Sequence, residues 1–549
     1  MDEPQVSSIS RRDLLKLGGA AVAAGSGLPL LDPRPAAAQT PRRGGTFRMR
    51  IHVAPVHFDP QQTVAFPTMQ AMSFTHSRLV KVKAGSSVKP GTQPLEPDLA
   101  ESWTQPNDTT YIFKLRRGAR WHPKSPVNGR EVTAEDVKYS YERFLFPANP
   151  NRGLLEQVDR IEVLDRHTVK FTLKEPFAWF LDALASPSTW IVAKEAVEQY
   201  GDLKRPESCI GTGPWMLERY EPNVRCTWVR NPNYFIPGLP YVDNVEVAIE
   251  TDPASALAVW LAGRYDFAPE YGMVVRRSDL DAVKQRKPGL QMQDYIVVFG
   301  GITWAKFDQD PFKDLRVRRA LAIATNWREV LETNAWSQGS GAPNPAIPAA
   351  FKDWSIPIDQ FPAESRRLYD FDPQEAKRLL AGAGHAGGFK TTLETTAGYG
   401  PDYMDAVQVT VAGWKKAGIE AEIKLKEYGA FVSSTIFGKF DKMGGGLFGG
   451  WTDPDSYLYR YFMPGQPLNA SGVNDSKLTE MIKLQRRTFN VAKRREIIYD
   501  IQRYVAQHVW ALYGPSVSAV AAWEPYVKNF GPNIGHDYGG RLMAAWLDR

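Results

Sequence analysis

The residues with the most distinctive chemistry lie near the carboxyl end, in the segment GGWTDPDSY at positions 449–457. The two leading glycines allow the backbone to bend and to approach a guest molecule closely. Trp451 offers an aromatic face and Asp453 a negative charge, while Pro454 disfavours continuation of a regular element. These residue types suit a turn that binds a small molecule. They also fit a surface loop with a half-buried tryptophan, so this segment alone leaves both interpretations open.

The sequence contains none of the common short motifs of catalysis. A Gly-x-Ser-x-Gly elbow, a His-Glu-x-x-His helix, a phosphate-binding Walker loop and a Cys-x-x-Cys pair are all absent. The eight histidines are scattered, and none has metal-ligand spacing to another. The sequence therefore predicts no catalytic residues, no metal and no cofactor, and it favours a binding protein over an enzyme.

Length and composition indicate a soluble globular protein of several compact units. The chain has 549 residues, of which 43% are hydrophobic and 23% charged, and at about 150 residues per domain it predicts two to four units. A formal net charge of +6 produces only a weak positive field over so long a chain. The basic run at 316–319 is typical of a solvated helix face, so nucleic acid is not an expected partner.

The amino terminus has the three parts of a secretory signal. Paired arginines and following leucines at 11–15 precede an apolar, small-residue stretch at 17–31 and an Ala-Ala-Ala segment at 36–38. The paired arginines resemble the twin-arginine type, with cleavage expected after Ala38. A membrane anchor is disfavoured because the apolar stretch contains several glycines and a proline. We therefore expect an exported, periplasmic protein.

The elements around the Trp451 segment predict where it lies in the fold. Residues 391–448 alternate strand, helix, strand, helix and strand, which predicts a largely parallel sheet covered by helices. Asp372, Pro373 and Glu375 form a well-defined helix start just before it. The segment 449–457 then follows the carboxyl end of a strand, where open α/β sheets bind their ligands. This position strengthens the ligand-binding interpretation. Elsewhere the sequence predicts a helix start at Thr133, one charged helix over 475–507 and one apolar strand-like run over 509–520.

The first half of the chain has a different pattern, in which strand-like runs between 95 and 173 predict antiparallel hairpins of an α+β unit. Cys209 and Cys226 are the only cysteines. If the hairpin at 213–230 turns near residues 221–223, Cys226 faces Leu217 or Glu218. Cys209 would then lie well beyond it, so a disulfide requires the chain to fold back. The sequence leaves the pairing open but disfavours it.

Seven segments in a fixed order carry a resemblance to a known family. They are EPDLAESW (96–103), FKLRRG (113–118), TAEDV (133–137), GTGP (211–214), RNPNY (230–234), RVRRAL (316–321) and WTDP (451–454). This order resembles the large extracytoplasmic solute-binding proteins of ABC importers, the dipeptide, oligopeptide and nickel group known as family 5. The resemblance covers essentially the whole chain after about Gly44.

The resemblance implies an α/β, two-lobed clamshell fold with mixed sheets and an extra α+β subdomain in the first lobe. The expected boundaries are a signal peptide at 1–38, lobe I at 39–298 with the subdomain at about 65–208, lobe II at 299–511, and a return to lobe I at 512–549. Two crossover strands would join the lobes. A solute would be enclosed when the lobes close.

The resemblance also implies which residues bind the solute. The family's pocket tryptophan corresponds to Trp451, and the early strand end and the Arg-Gly-x-x-Trp turn point to Phe58 and Trp121. Asp453 aligns with the family's Asp-Pro pair and not with the aspartate that holds a peptide's amino group. Where dipeptide-binding members carry an arginine for the carboxylate, this chain has the segment 397–403, with Tyr399 and Tyr403 as candidates.

The expected partners are therefore a small organic solute or peptide and a membrane ABC permease, with the protein itself a monomer. The missing charged clamp disfavours a short free peptide, because a zwitterion in a closed site would lose several kcal/mol. A neutral or aromatic-stacking guest is favoured instead, and nickel is disfavoured because the family's relevant histidine has no counterpart. A secreted enzyme or a chaperone-like periplasmic protein on the same scaffold is the alternative.

Overall fold

The structure, a computed structural model, describes residues 40–89, 92–268, 275–334, 339–342, 346–450, 453–531 and 538–549. The predicted signal peptide and Trp451 lie outside these ranges.

The strands among the described residues follow in chain order. They are β1 (Thr46–Ile51), β2 (Val80–Val82), β3 (Leu95–Pro97), β4 (Ala100–Asn107), β5 (Thr110–Leu115), β6 (Val158–Asp165), β7 (Thr168–Leu173), β8 (Trp215–Glu221), β9 (Arg225–Arg230), β10 (Asn244–Ile249), β11 (Phe267–Ala268), β12 (Gln291–Ile296), β13 (Phe299–Ala305), β14 (Gly341–Ala342), β15 (Phe389–Thr396), β16 (Ile419–Lys426), β17 (Met443–Gly449), β18 (Leu512–Tyr513), β19 (Ser516–Trp523), β20 (Val527–Lys528) and β21 (Trp546–Leu547).

The α-helices of the same residues surround these strands. They are α1 (Phe66–Thr75), α2 (Ala134–Phe144), α3 (Phe180–Leu184), α4 (Lys194–Tyr200), α5 (Pro253–Leu261), α6 (Leu280–Arg286), α7 (Leu315–Ile323), α8 (Trp327–Thr333), α9 (Ala363–Arg366), α10 (Pro373–Gly382), α11 (Pro401–Lys416), α12 (Tyr428–Ser433), α13 (Asp455–Phe462), α14 (Ser476–Arg487), α15 (Val491–His508) and α16 (Tyr538–Leu542).

Short-range capping chemistry sets several helix starts, as the sequence predicts. The Asp372 carboxylate accepts hydrogen bonds from the backbone amides of Gln374 and Glu375 at 3.1 and 2.9 Å, and Pro373 occupies the first position of α10. At α2, the backbone amide of Thr133 donates to the Asp136 carboxylate at 2.8 Å, which forms a capping box. Both arrangements satisfy amides that have no partner within the helix.

The first part of the chain builds two separate sheets. One has the order β1-β10-β9-β8, with β1 parallel to β10 and the other pairs antiparallel. The other has the order β4-β5-β7-β6, is antiparallel throughout, and packs against α2. This second sheet and its helix form the α+β unit that the hairpin pattern predicts.

The hairpin between β8 and β9 corrects one expectation about the cysteines. Only three residues, 222–224, connect the two strands, so Cys226 lies opposite Tyr220 and not opposite Leu217 or Glu218. Cys209 and Cys226 are both free, buried thiols. Burial raises the pKa of the Cys209 thiol to about 11.

The second half of the chain forms the sheet that carries the predicted site. Its order is β16-β15-β17-β13-β18, with β15 parallel to β16 and to β17. Strand β13 pairs antiparallel with β17 and β18. The sheet is therefore mixed, as the family resemblance implies, whereas the local strand and helix alternation predicts a largely parallel one. The antiparallel partner β13 comes from about 140 residues earlier, beyond the reach of that local pattern.

The chain passes twice between this sheet and a third sheet of order β11-β19-β12. Two residues separate β12 from β13, and Gly514 and Pro515 separate β18 from β19. Strands β12 and β19 pair antiparallel along six residue pairs. The apolar run at 509–520, predicted as one strand-like element, is therefore two strands belonging to different sheets.

The charged helix predicted over 475–507 is likewise two helices. Helix α14 ends at Arg487, and the side chain of Asn490 accepts a hydrogen bond from the amide of Lys493 at 3.0 Å to begin α15. The break contains neither glycine nor proline, so the usual sequence signals of a helix end are missing.

Among the described residues no helix combines the length and the apolar character needed to cross a bilayer. The same residues contain no group of three or more His, Cys, Asp or Glu side chains that could hold a metal ion.

Candidate functional site

The segment predicted to bind the ligand connects β17 to α13. Trp451 lies outside the described residues, but Asp453 is buried, with 2% of its surface exposed. Its Oδ1 accepts a hydrogen bond from the Ser456 amide at 2.9 Å, and the Ser456 hydroxyl donates to the Asp453 carbonyl at 2.7 Å. Helix α13 begins at Asp455, directly after Pro454. Pro454 therefore precedes a new helix, and Asp453 caps it.

The carboxyl group of Asp453 has an unusual environment. Its Oδ2 atom has no hydrogen-bond partner within the described part of the chain. Burial, reinforced by the negative charges of Asp455 and Asp182, raises the pKa of this carboxyl group well above its ordinary value. The group is therefore biased toward its protonated form. The role of Asp453 in solute binding stays a prediction.

Aromatic side chains hold the end of β17 in place. Phe448 packs against Tyr457, Tyr461 and Tyr513, with ring centroids 5.8, 6.0 and 4.9 Å away. The Tyr457 hydroxyl donates to the Val298 carbonyl at 2.5 Å. The strand end that leads into residues 449–457 is therefore anchored on several sides.

A cavity lies between the sheet and the helices α7, α11 and α15. Its volume is about 170 Å³. Strands β13, β15 and β17 form one wall, and Tyr399 and Tyr403, both predicted from sequence, line it. The structure thus brings the segment at 397–403 to the same sheet as the strand that leads to Asp453.

The two tyrosines are fixed by their neighbours. The Tyr399 ring packs edge-on against Tyr403, Tyr428 and Phe431 at 5.1 to 5.8 Å. The Tyr403 hydroxyl lies 2.8 Å from Oγ1 of Thr395, which donates to the Gly445 carbonyl at 2.9 Å. Because the Thr395 proton is used in that bond, the Tyr403 hydroxyl donates to Thr395. Burial raises the pKa of Tyr403, so it remains a neutral donor.

Phe58 and Trp121 lie elsewhere and do not line this cavity. Phe58 is 2% exposed and packs on Tyr220 with ring centroids 5.1 Å apart. Trp121 is fully buried, and its ring lies 5.7 Å from the guanidinium carbon of Arg130. Their contribution to a site therefore stays a prediction from the family resemblance.

Sequence reasoning missed three residues near the 397–403 segment. Asp402 lines the cavity, and its Oδ2 receives a charged hydrogen bond from Arg276 at 3.1 Å. The Asn334 side chain lies 3.5 Å from the Asp402 carbonyl, and Asn334 and Tyr513 also line the cavity. Arg276 lies more than 120 positions from Asp402, so no local pattern links them. The apolar run containing Tyr513 was the only available signal.

A second set of contacts joins the α+β unit to helices α14 and α15. The indole nitrogen of Trp179 donates to the Gln485 side chain at 2.9 Å, and the guanidinium of Arg494 lies 4.1 Å from the Trp179 ring. The Ala178 amide donates to the Arg486 carbonyl at 2.7 Å. These contacts connect residues about 300 positions apart.

Two solved structures share this architecture over almost the whole chain. One is the periplasmic binding protein DppA from Helicobacter pylori in complex with the peptide STSA, with a TM-score of 0.80 and 22% identity over 92% of this chain and 99% of that one. The other is AgaA from A. tumefaciens R10 in complex with agropinic acid, with a TM-score of 0.78, 22% identity and the same coverage. Mixed sheets and these likenesses define the two-lobed periplasmic-binding-protein fold.

Sequence comparison identifies the family. Residues 94–468 match the bacterial extracellular solute-binding proteins, family 5. Di/tripeptide-binding protein 1 of Pseudomonas aeruginosa is 30% identical over 485 residues, which cover 83% of this chain and 86% of that protein. The chain belongs to the family 5 extracellular solute-binding proteins.

Proposed function

We propose that this protein captures a peptide-like or other organic solute outside the cytoplasm and delivers it to the permease of an ABC importer. The observation that carries the proposal is the cavity beside β13, β15 and β17, which is lined by Tyr399 and Tyr403. These three strands lie within the residues that match the family. Binding energy drives this function, and no catalytic step is involved.

The proposed mechanism is closure of two lobes around the solute. Lobe I comprises residues 39–298 and 512–549, with the extra subdomain at about 65–208, and lobe II comprises residues 299–511. The two passages of the chain between sheets, at 296–299 and 513–516, support these boundaries because they provide two adjacent connections. Closure would bury the solute and present a surface to the permease. We propose that the protein acts as a monomer.

The relatives and structural neighbours differ in the ligand that each one is named for or holds. The relative at 30% identity is named for di- and tripeptides, whereas one structural neighbour holds agropinic acid. In the described residues, the cavity wall carries a single ionisable acid, Asp402, already paired with Arg276. This favours a neutral or aromatic-stacking guest over a free zwitterionic dipeptide.

We propose that Trp451 and Asp453 also contact the solute. Phe58 and Trp121, which do not line the cavity, are proposed contacts on the family resemblance alone. The export route is the twin-arginine pathway, proposed from the paired arginines at positions 11 and 12. The competing proposals are a secreted enzyme and a chaperone-like protein on the same scaffold.

The test is native mass spectrometry of protein purified from its own host. The proposal predicts a non-covalently held small organic molecule that is released on denaturation and recovered unchanged. A tightly held metal or cofactor, or conversion of the bound molecule by the protein, would contradict it. Replacement of the paired arginines at 11 and 12 by lysines should retain the protein in the cytoplasm. Unchanged export would contradict the proposal that the protein uses the twin-arginine pathway.

A further inference from the structure

The cavity wall lacks the charges that would recognise an ion. Among the described residues that line it there is no lysine, arginine or histidine, and Asp402 is the one acid. The Asp402 charge is balanced by Arg276 at 3.1 Å. An anion or a cation would therefore lose its hydration without gaining a free counter-charge. The wall selects against charged groups.

Most polar groups on the wall are already used within the protein. The Trp414 indole donates to the Leu321 carbonyl at 3.1 Å, and the Thr410 hydroxyl donates to the Ala406 carbonyl at 2.8 Å. The Tyr403 hydroxyl is likewise engaged with Thr395. The surface left for a guest is mainly apolar. A cavity of about 150 Å³ lined by such residues is large enough for benzene.

Glycines in the sheet create the room. A Cβ atom added to Gly301 would find only the Gly514 Cα at 3.7 Å, and one added to Gly445 would lie 3.2 Å from Leu393 and 3.6 Å from the Tyr403 hydroxyl. Both glycines line the cavity. No side chain from these positions fills the space between sheet and helices.

We propose that the solute inserts an uncharged, mainly apolar arm into this cavity. This inference rests on the proposed solute-binding function and specifies the chemistry of the solute. The pocket that would determine specificity lies between the strands β13, β15 and β17 and the helices α7, α11 and α15.

The first test fills the cavity and compares matched probes. Ala406 lines the cavity on α11, and Ala412 is exposed on the same helix. Ala406→Leu therefore fills part of the cavity and Ala412→Leu does not, while the change in helix propensity is the same in both variants. Binding of benzyl alcohol, benzoate and benzylammonium is measured by NMR titration. We expect benzyl alcohol to bind wild type and Ala412→Leu, and to bind Ala406→Leu at least tenfold more weakly. Equal binding to both variants, or binding of either charged probe to wild type as tight as that of benzyl alcohol, would overturn the inference.

A second variant keeps the inference testable if Ala406→Leu does not fold. Ala406→Val adds a smaller side chain at the same lining position, so benzyl alcohol should bind about threefold more weakly than to wild type. Equal binding of benzyl alcohol to Ala406→Val and wild type would overturn the inference.

Binding of the host-derived solute separates this inference from the proposed function. A co-purified solute that loses at least tenfold in affinity for Ala406→Leu, but not for Ala412→Leu, supports both. A solute that binds Ala406→Leu and wild type equally leaves the transport proposal intact and overturns the inference. If no solute co-purifies and none is found by screening, the transport proposal fails, while the benzyl alcohol titration still decides the chemistry of the cavity.

Discussion

Replacement of Arg486 by methionine should strongly destabilise the protein. Arg486 and Asp455 are both almost fully buried, at 3% and 4% exposure of their side chains, and their Nε and Oδ2 atoms are 3.1 Å apart. The guanidinium also lies 3.6 Å from the Tyr459 ring and 4.2 Å from the Phe177 ring. Methionine retains much of the apolar packing but leaves the Asp455 carboxylate without its cation.

The expected loss follows from the distance and the burial. Two unit charges 3.1 Å apart attract by about 5 kcal/mol at an effective dielectric constant of about 20. Removal of one partner of a buried pair typically costs about 3 to 5 kcal/mol, because the remaining charge is uncompensated. We therefore expect the free energy of unfolding, measured by urea denaturation at pH 7.5, to fall by about 3 to 5 kcal/mol.

The loss should depend on pH in a defined direction. Burial already raises the pKa of Asp455, and Arg486 opposes that rise. In Arg486→Met the folded protein therefore holds the Asp455 proton to higher pH than the unfolded chain does, so its stability falls as pH rises through this interval. The deficit relative to wild type should grow from pH 4 upward, by at most about 1.4 kcal/mol per pH unit.

Two further variants make the reasoning refutable. Arg487→Met is the matched control, because Arg487 is 41% exposed and its pair with Glu175 spans 3.6 Å, so a loss of at most about 1 kcal/mol is expected. Adding Asp455→Asn to Arg486→Met should recover much of the loss and remove the extra pH dependence. A loss below about 1 kcal/mol in Arg486→Met, or an equal loss in Arg487→Met, would refute the account of a buried, obligatory ion pair.

Three other predictions concern the site, a helix start and the cysteines. Trp451→Ala should lower solute affinity by about 1 to 3 kcal/mol in calorimetry, as expected for a lost aromatic contact, and unchanged affinity would remove Trp451 from the site. Asp372→Ala should lower the free energy of unfolding by about 0.5 to 2 kcal/mol through loss of the α10 cap, while Asp370→Ala, at an exposed position, serves as the control and should change little. Cys209 and Cys226 should not react with a thiol reagent in the native protein and should react with two equivalents of it in denaturant, since both are buried free thiols. Detection of a disulfide in protein purified from the periplasm would contradict this.

The sequence predicts helix starts where a few neighbouring residues determine the local structure. Asp372, Pro373 and Glu375 specify the start of α10 by themselves, and Thr133 with Asp136 does the same for α2. The sequence does not show the break between α14 and α15, because the cap Asn490 stands between Phe489 and Val491 with no glycine or proline nearby. A single asparagine in such a position gives no sign of whether it caps a helix or lies within one.

The candidate site could be predicted only in part for a different reason. Tyr399 and Tyr403, which line the cavity, are candidates because the family resemblance points to the segment 397–403 around the start of α11. Arg276 and Tyr513 come from distant parts of the chain, and only the three-dimensional fold brings them to Asp402 and to the cavity. A local sequence pattern does not predict the mixed sheet either, since β13 and β17 pair across more than 130 residues.

The three consecutive glycines of β17, at positions 444–446, bear on the order in which the protein folds. A glycine inside a strand costs about 0.5 to 1 kcal/mol relative to alanine, because the unfolded backbone is so free. We therefore expect β17 to join its sheet after β13 and β15, the strands on its two sides. Interactions that form late in folding leave the folding rate almost unchanged and change the unfolding rate. On this expectation, replacing one of these glycines alters how long the assembled sheet lasts more than how fast it forms.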